Sequence, residues 1–559
     1  MPAAEPSAAL ANHLLALATV VTALVAGGLF LVLGHRRRVR SGLREPKGRV
    51  GIVKSFDLGN RRRVLRIRRD GTEHLLLIGG PTDTLLGTDL AHDSCSEPAE
   101  DRERLVANEV PHAASSGLAR PYLEAATRFA RAAEGLIPLA LLSGLAGAGA
   151  GLVSGLFRMA LEAADRFRSA IPAWWHGQPW LGLGLMIAGA SAAAALSVFL
   201  VRRYSIHAAG SGIPQVEAVL SGDLPPPPFP LLPVKFAGGF LAIGAGLALG
   251  REGPCVQMSA TLANLIGKAS HRSVGDCRVL LAAGAGAGLA AAFNAPLAGS
   301  AFVLEELLRK FDARNALAAL GASGSAIVAA QFITGRAPVF AVAVVLEPTF
   351  IDNLLFLLLG IVAGLLGALY NRALFGALAI ADRFAGWPAE ARAAAVGAAV
   401  GAVAWFAPAL AGGGDGLTQQ TLDGTVAPAL LPFVLMVRLV LSAASYAAGT
   451  PGGLFAPLLA LGAQMGFLFG SIIDFGQAGL GPHAASYALV GMAALFAAVV
   501  RAPVTGMILV TEMTDNSVLL LPMLGACFSA MAVAALFGEP PVYDALKIRT
   551  LEIWRKSQR

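Results

Sequence analysis

The sequence predicts an all-α polytopic membrane protein with internally duplicated halves and broken, re-entrant helices, preceded by one membrane helix and a small cytosolic β unit. The chain of 559 residues is 55% hydrophobic and only 14% charged, and its mean hydropathy is +0.64. A soluble chain of this length would need far more polar surface. Many of its apolar runs reach the roughly 20 residues with which a helix crosses a bilayer. A repeated motif, and runs interrupted by Gly and Pro, predict the duplication and the broken helices.

The N-terminal segment, 1–34, is predicted to contain a single transmembrane helix. Its apolar run covers 14–34, no Lys or Arg precedes this run, and Arg36, Arg37 and Arg38 follow it. Secretory signal peptides have the opposite polarity. By the positive-inside rule, the short N terminus lies outside and the chain after residue 35 lies in the cytosol.

Residues 35–90 are predicted to form a basic cytosolic β unit. Asp70-Gly71 is a dipeptide typical of hairpin turns, and it separates two runs with strand-like composition. The strand-like segments are 49–56, 63–69 and 72–78. The polar stretch that follows, 91–135, is predicted to be a linker.

Residues 136–559 are predicted to form a membrane-embedded transport core. The expected bilayer spans are approximately 137–157, 181–201, 231–249, 278–293, 314–334, 350–377, 392–411, 428–447, 485–500 and 517–537. Between them lie shorter apolar segments at 210–220, 253–267, 296–308, 451–470 and 502–513. Their interruption by Gly and Pro favours half-spanning or re-entrant helices.

An internal repeat relates two parts of this core. The pattern Ala-Pro-x-x-Gly-x-x-x-Val-x-Glu begins at Ala295 and again at Ala502, at an ungapped offset of 207 residues. It ends at Glu305 in the first copy and at Glu512 in the second. Duplicated halves with interrupted helices at matching places are typical of transporters whose site lies at the interface of the repeats.

Composition also excludes several classes of function. The net charge of +7 is better explained by cytosolic loops than by nucleic-acid binding. The four cysteines show no paired spacing, so we interpret them as free packing residues. No zinc, metalloprotease or P-loop pattern occurs. The sequence therefore predicts neither a cofactor nor a metal, and it does not predict an enzyme.

Glu252 is the most informative residue of the core. It lies in Gly250-Arg251-Glu252-Gly253-Pro254, with nearly uncharged apolar sequence on both sides. A carboxylate at membrane depth costs several kcal/mol by most estimates and usually faces a cavity or an ion path. Gly and Pro break the helix here, and broken helices occur at this depth only where backbone lines a buried or watery site. The alternative is a structural carboxylate paired with Arg251.

Four motifs in this order resemble the CLC family of chloride channels and chloride/proton exchangers. The resemblance covers approximately 136–559. The first motif is Gly210-Ser211-Gly212-Ile213-Pro214, the second contains Glu252, the third is Gly453-Leu454-Phe455-Ala456-Pro457, and the fourth contains Tyr543. Broken helices of this kind can bind an anion through backbone N–H groups and helix N termini without a full positive charge.

The resemblance implies a role for each of these residues. Ser211 and Tyr543 would donate hydroxyl groups to a central chloride from the inner side, while Leu454 and Phe455 would offer backbone N–H groups. Glu252 would be the outer gate, whose carboxylate occupies an anion site when charged and leaves it when protonated. Without the other motifs, Ser211 would be interpreted as a helix cap or turn residue and Tyr543 as an interfacial aromatic.

The pair Glu305-Glu306 separates an exchanger from a channel. In exchangers of the CLC family, the second Glu relays protons between the cytosol and the gate, and many channel members lack it. Arg309 and Lys310 follow the pair, so it is expected at the cytosolic edge. The alternative for Glu306 is a helix-end contact with Arg309 or Lys310. Because the repeat aligns Glu305 with Glu512, those two residues are expected to have a structural role.

The leading hypothesis is therefore a chloride/proton antiporter, homodimeric as the family is, in the bacterial cytoplasmic (inner) membrane. The alternative is a passive voltage- or pH-gated chloride channel. A third hypothesis comes from residues 10–90, which resemble the FliO family of small flagellar-export membrane proteins. That resemblance implies an assembly factor with flagellar export components as partners. The alternative for this region is an unrelated hairpin that lies on anionic lipid through its arginines.

Overall fold

The computed structural model describes residues 50–57, 63–69, 72–78 and 84–88, and then 119–342, 348–473 and 482–557. The membrane helix predicted at 14–34, the basic residues after it and most of the predicted linker lie outside the described residues. The chain divides into two units, one of residues 28–126 and one of residues 1–27 with 127–559.

The smaller unit contains an antiparallel sheet of four strands. The strands are β1 (Val50–Asp57), β2 (Arg63–Arg69), β3 (Thr72–Ile78) and β4 (Thr84–Thr88). Each strand pairs with the next along the chain, so the order in the sheet is β1-β2-β3-β4. The register between β2 and β3 is regular from Arg63, opposite Ile78, to Arg69, opposite Thr72.

The larger unit is helical throughout the part of it that the structure describes. Its helices are α1 (Ala119–Trp174), α2 (Pro179–Tyr204), α3 (Ile213–Ser221), α4 (Leu231–Gly244), α5 (Glu252–Ala269), α6 (Val274–Phe293), α7 (Pro296–Phe302), α8 (Ala313–Thr334), α9 (Phe350–Arg383), α10 (Ala389–Phe406), α11 (Asp415–Leu422), α12 (Leu431–Ala447), α13 (Phe455–Ile473), α14 (Pro482–Val500), α15 (Pro503–Thr514), α16 (Leu520–Leu536) and α17 (Val542–Ser557). A π-helical turn, Val303–Leu307, continues α7.

Eight helices in the described ranges are long and apolar enough to cross a membrane. They are Leu136–Trp174, Pro179–Tyr204, Val274–Phe293, Ala313–Thr334, Phe350–Arg383, Ala389–Phe406, Pro428–Ala447 and Phe455–Ile473. Helices α6 and α13 are mostly buried within the protein, whereas most of α2 and α10 is not. The interior of the unit therefore consists of helices that are apolar on all sides, as expected where the surrounding solvent is lipid.

Several predicted boundaries are wrong. The spans predicted at 485–500 and 517–537 correspond to apolar helices that are shorter than the eight candidate spans. The span predicted at 231–249 ends at Gly244, because the chain turns at Gly246, where φ is +103° and glycine is favoured. The segment 451–470, predicted to be half-spanning, forms α13, which is long enough to cross. The end of the predicted linker is helical, since α1 begins at Ala119.

The internal repeat appears in the structure as a pair of reciprocal helix caps. The carboxylate of Glu305 accepts hydrogen bonds from the backbone N–H groups of Val504 (3.0 Å) and Thr505 (2.7 Å) at the start of α15. That of Glu512 accepts them from Leu297 (3.0 Å) and Ala298 (2.8 Å) at the start of α7. Negative side chains stabilise helix N termini, where N–H groups have no intrahelical partner. Glu305 and Glu512 therefore have the structural role that the repeat suggested.

Candidate functional site

Two short backbone bridges bring the glycine motifs together. Gly210 forms a parallel bridge with Pro451, and Gly250 forms an antiparallel bridge with Gly453. In the second bridge, Gly250 N–H donates to the Gly453 carbonyl at 2.9 Å and Gly453 N–H donates back at 2.7 Å. Residues more than 200 positions apart in the chain thus meet at one place. These bonds join the second motif directly to the third, and the first motif to the segment immediately before the third.

The backbones approach so closely that glycine is required at two positions. A Cβ atom on Gly253 would lie 2.4 Å from the Ser211 carbonyl oxygen, and one on Gly453 would lie 2.3 Å from a carboxylate oxygen of Glu252. Neither position could hold a larger residue without movement of the site. Helix α3 begins at Ile213, α5 at Glu252 and α13 at Phe455, directly after these bridged segments. The positive ends of three helices therefore lie at the bridges, an arrangement suited to an anion.

The carboxylate of Glu252 is fully buried at the N terminus of α13. Its Oε1 accepts a hydrogen bond from the Phe455 backbone N–H at 2.6 Å. Its Oε2 has no hydrogen-bond partner among the described residues. The side chain of Arg251, the alternative partner considered above, instead pairs with Asp415 (3.2 Å) and donates to the Ala292 carbonyl (3.1 Å). A negative oxygen of Glu252 thus occupies the position at which a helix N terminus would hold an anion.

Two hydroxyl groups near Glu252 are buried without a partner. Ser211 is 1% exposed and Tyr543 is 0% exposed, and neither hydroxyl has a hydrogen-bond partner among the described residues. Ser211 is not a helix cap, because Gly212 holds the cap position of α3 and no side chain caps that helix. An unsatisfied buried donor costs about 1–3 kcal/mol, so two of them indicate a ligand that accepts hydrogen bonds.

An aromatic cluster encloses this part of the site. The ring of Phe455 lies 5.8 Å from that of Tyr543, 5.8 Å from that of Phe302 and 4.6 Å from that of Phe496, measured between centroids. Phe302 ends α7, the helix that the π-helical turn continues toward Glu306. The rings of Phe302, Phe455, Phe496 and Tyr543 thus pack together as an apolar layer at the start of α13. Such a layer excludes water and strengthens electrostatic interactions within the site.

Lys235 is a contributor to the site that sequence reasoning missed. Its side chain is fully buried, and its Nζ donates hydrogen bonds to the carbonyl oxygens of Ala208 (3.0 Å) and Gly210 (2.7 Å). These bonds hold the backbone that leads into Ser211. The signal was present, since a lone ionisable residue in an apolar membrane segment is by default a functional candidate. Thr450 was also missed; its buried hydroxyl has no partner among the described residues, and its carbonyl accepts from Gly210 N–H at 3.2 Å.

Glu306 lies in the π-helical turn after α7. It is 3% exposed, and its Oε1 lies 3.7 Å from Nη2 of Arg309, beyond hydrogen-bond distance. Nη2 of Arg309 bonds instead to Oδ1 of Asp544 at 2.7 Å. Asp544 belongs to α17 and directly follows Tyr543 in the chain. Burial, with the nearby Glu217 carboxyl adding to it, raises the pKa of Glu306 to about 9. The helix-end alternative is therefore present as an ion pair of Glu306 with Arg309, but this pair leaves Oε1 of Glu306 without a hydrogen bond.

An open cavity of about 560 Å³ adjoins Glu306. Its lining includes Glu305, Glu306, Arg309, Lys310 and Arg501. A carboxyl group next to a space of this size can be reached by water, and water can deliver or remove its proton. Within the described residues, no group of three or more His, Cys, Asp or Glu side chains converges as metal ligands would.

The chain matches one family of membrane proteins by sequence. The family model for the voltage gated chloride channel matches residues 193–535. The H(+)/Cl(-) exchange transporter ClcA of Cronobacter sakazakii is 38% identical over 427 residues, which cover 74% of this chain and 90% of the relative. ClcA of Vibrio parahaemolyticus is 34% identical over 465 residues, which cover 81% and 96% of the two chains.

Solved structures show the same similarity. A slow cyanobacterial Cl-/H+ antiporter superposes with a TM-score of 0.69 at 32% identity, covering 74% of this chain and 98% of that one. A eukaryotic CLC transporter gives a TM-score of 0.63 at 25% identity and covers 74% of each chain. A CLC-type fluoride/proton antiporter, at 24% identity and a TM-score of 0.60, shares the fold.

Proposed function

The chain belongs to the family of voltage-gated chloride channels, and we propose that it exchanges chloride for protons as a multi-pass protein of the bacterial cytoplasmic (inner) membrane. The two curated relatives are named as exchange transporters, and this chain covers 90% and 96% of their lengths. The observation that carries the proposal is the pair of buried, unpartnered hydroxyls of Ser211 and Tyr543 beside the carboxylate of Glu252. The two hydroxyl groups can donate hydrogen bonds to a dehydrated chloride. The carboxylate of Glu252, which is also an anion, competes with chloride for an anion-binding position.

We assign the roles as follows. Ser211 and Tyr543 bind chloride through their hydroxyl groups, and the backbone N–H groups of Leu454 and Phe455 bind an anion at the start of α13. Glu252 is the gate: when charged it takes the anion position, and when protonated it leaves. Its bond to the Phe455 N–H supports this assignment. The backbone of the motif residues shapes the site. These motif residues are Gly210, Gly212, Ile213, Pro214, Gly250, Arg251, Gly253, Pro254, Gly453 and Pro457.

We assign the proton relay to Glu306. Its buried carboxyl faces the Arg309–Asp544 pair and adjoins the water-accessible cavity, which favours uptake of protons from the cytosol. This route is separate from the inner chloride site, where Ser211 and Tyr543 hold an anion. The presence of Glu306 favours exchange over a passive channel, which is the alternative function.

Liposomes that contain the purified protein test the proposal. We expect an outward chloride gradient to drive protons uphill into the liposome, with chloride and pH recorded together. A chloride flux that leaves the proton gradient untouched would replace the exchanger with the channel. No chloride flux at all would reject both.

Replacement of Ser211 by Pro is expected to shift preference from chloride toward nitrate. The hydroxyl of Ser211 donates one short hydrogen bond to a compact anion, and CLC members that prefer nitrate have Pro at this place. A hydrogen bond is worth about 0.5–1.5 kcal/mol, so the ratio of chloride to nitrate transport should fall by roughly two- to tenfold. Exchange assays with each anion measure the ratio. An unchanged ranking would contradict the assignment of Ser211.

We also propose that the protein is a homodimer with a complete site in each subunit. Support comes from exposed apolar side chains on α7, α8, α15 and α16, among them Leu297, Phe332, Val504, Leu521 and Phe528. In lipid, helices associate by close packing, which small residues on such apolar faces allow. Cross-linking in native-like bilayers is expected to yield a dimer. Only monomers, with flux intact, would count against it.

The resemblance of residues 10–90 to FliO stays a prediction. The match to the chloride-channel family lies at residues 193–535 and does not test it. The four-stranded sheet of residues 50–88 is a separate unit from the helices that form the proposed site. Partnership with flagellar export components therefore depends on that resemblance alone.

A further inference from the structure

The structure holds an acidic residue, Asp415, against the arginine that precedes the gate. Nη1 of Arg251 lies 3.2 Å from Oδ2 of Asp415, and the side chains are 9% and 41% exposed. Arg251 is therefore almost buried, while the carboxylate of Asp415 is accessible to solvent. The backbone of Arg251 belongs to the second glycine motif, and its side chain forms this ion pair with Asp415.

A buried arginine fixes the loop that presents Asp415. Arg438 of α12 is fully buried, and its guanidinium donates to the carbonyl oxygens of Leu410 (3.0 Å), Gly412 (2.7 Å) and Gly413 (2.7 Å). Gly414, which caps α11, has φ of +103°. Asp415 is the next residue, so these bonds determine its position.

The same loop is bonded to the segment that leads into the gate. Gly412 N–H donates to the Gly246 carbonyl at 2.7 Å, and Arg168 donates to the Gly244 carbonyl at 3.2 Å. Arg168 also pairs with Asp165. Arg438 thus bonds to three backbone carbonyls, whereas Arg168 and Arg251 each bond to one carbonyl and pair with one carboxylate. Asp415 is the carboxylate that faces the arginine next to the gate.

We propose that Asp415 limits the entry of anions from the outer side of the gate. Its negative charge neutralises Arg251 and lowers the local concentration of chloride where the anion approaches Glu252. This inference depends on the proposed function, in which Glu252 is the outer gate of a chloride path. A charge on the wall of a narrow entrance changes the local concentration of ions and their rate of entry.

A purely structural explanation is available for comparison. Asp415 is the first residue of α11, where a negative side chain stabilises the helix N terminus. That role requires negative charge for stability but predicts no change in the concentration of chloride that the protein needs on the outer side.

Two substitutions separate the explanations. In liposomes, Asp415→Asn is expected to lower by ~3-fold the outer chloride concentration that gives half-maximal flux, since unit charges several Å apart in water interact by about 1 kcal/mol or less. Asp415→Glu, which keeps the charge, should behave like the parent protein. A half-maximal concentration that is unchanged in Asp415→Asn would overturn the proposal.

Chemical modification then varies the charge on a folded protein. Asp415→Cys is treated from outside with membrane-impermeant methanethiosulfonates that add either a sulfonate or a trimethylammonium group. The sulfonate should restore the parental chloride dependence, and the ammonium should lower the half-maximal concentration further. The parent protein, treated in parallel, is the control; its described cysteines, Cys255, Cys277 and Cys527, are buried.

The outcomes also distinguish this inference from the proposed function. Equal effects of the two reagents would overturn the role of Asp415 while leaving exchange intact. If the parent protein transports chloride without protons, exchange is rejected. The effect of the charge at Asp415 on the chloride dependence of flux then still decides the inference about Asp415. A parent protein that moves no chloride would reject the proposed function, and the inference would fail with it.

Discussion

Replacement of Glu252 by Gln is expected to abolish proton transport while chloride continues to flow. Glutamine has the size of a protonated glutamate, but it cannot take up or release a proton. It also lacks the negative charge that holds the carboxylate against the Phe455 N–H at 2.6 Å. The anion position at the start of α13 should therefore be open permanently, and chloride should pass without a coupled proton. Simultaneous recording of chloride and pH in liposomes measures both fluxes.

A matched control shows whether the loss is specific to this carboxylate. Glu390 of α10 pairs with Arg202 at 2.8 Å on the protein surface, and Glu390→Gln should leave both fluxes unchanged. Glu252→Ala should behave as Glu252→Gln does, since both remove the titratable group. Uphill proton transport that persists in Glu252→Gln would reject the assignment of the gate.

The structure brings together residues that the sequence singled out, whereas hydropathy misplaced several helix boundaries. Glu252 and Gly250 stand out as a carboxylate and a helix breaker in apolar sequence, and Gly453 stands out through the resemblance of its motif to the CLC family. The structure brings all three together. The early end of α4 at Gly244 was missed, because hydropathy reports whether a segment is apolar and not whether its backbone is helical. The irregular backbone after it is what forms the bridge at Gly250.

Contacts between residues that are distant in the chain could not be predicted from the sequence. Nothing in the neighbourhood of Asp415 indicates that it meets Arg251, or that Arg438 orients the loop before it. Lys235 could have been noticed as a charge in an apolar run, but its acceptors, the carbonyls of Ala208 and Gly210, required the fold. The repeat was the exception: its aligned glutamates, Glu305 and Glu512, predicted a related role for both, because duplicated sequence is expected to form duplicated contacts.

The two adjacent glutamates offer the sharpest comparison within the chain. Glu305 has its carboxylate satisfied by Val504 and by both the N–H and the hydroxyl of Thr505. Glu306 has no hydrogen bond on Oε1 from the described residues, although it is almost fully buried. With a pKa of about 9, its carboxyl group holds a proton over most of the physiological pH range. A carboxylate whose hydrogen bonds are satisfied and one whose Oε1 has none therefore lie side by side in the π-helical turn, a form of helix that is frequent at functional sites.

Replacement of Glu306 by Gln is expected to stop proton transport and leave chloride transport in place. The amide keeps the size of the side chain, which is neutral at pH 7 in either form, so the surrounding packing should be retained. Glu305→Gln is the control with the opposite expectation. It weakens charge-assisted bonds that are worth about 1.5–3 kcal/mol each, so it should lower the melting temperature or the yield of assembled protein while the surviving molecules keep coupled exchange. Flux recordings and thermal unfolding of both variants measure the difference. Normal coupling in Glu306→Gln would reject the relay. Of the two glutamates, only Glu306 has a carboxyl group free to exchange its proton, so the relay predicts a proton defect in Glu306→Gln alone. An equal proton defect in both variants would instead assign proton transport to the turn as a whole.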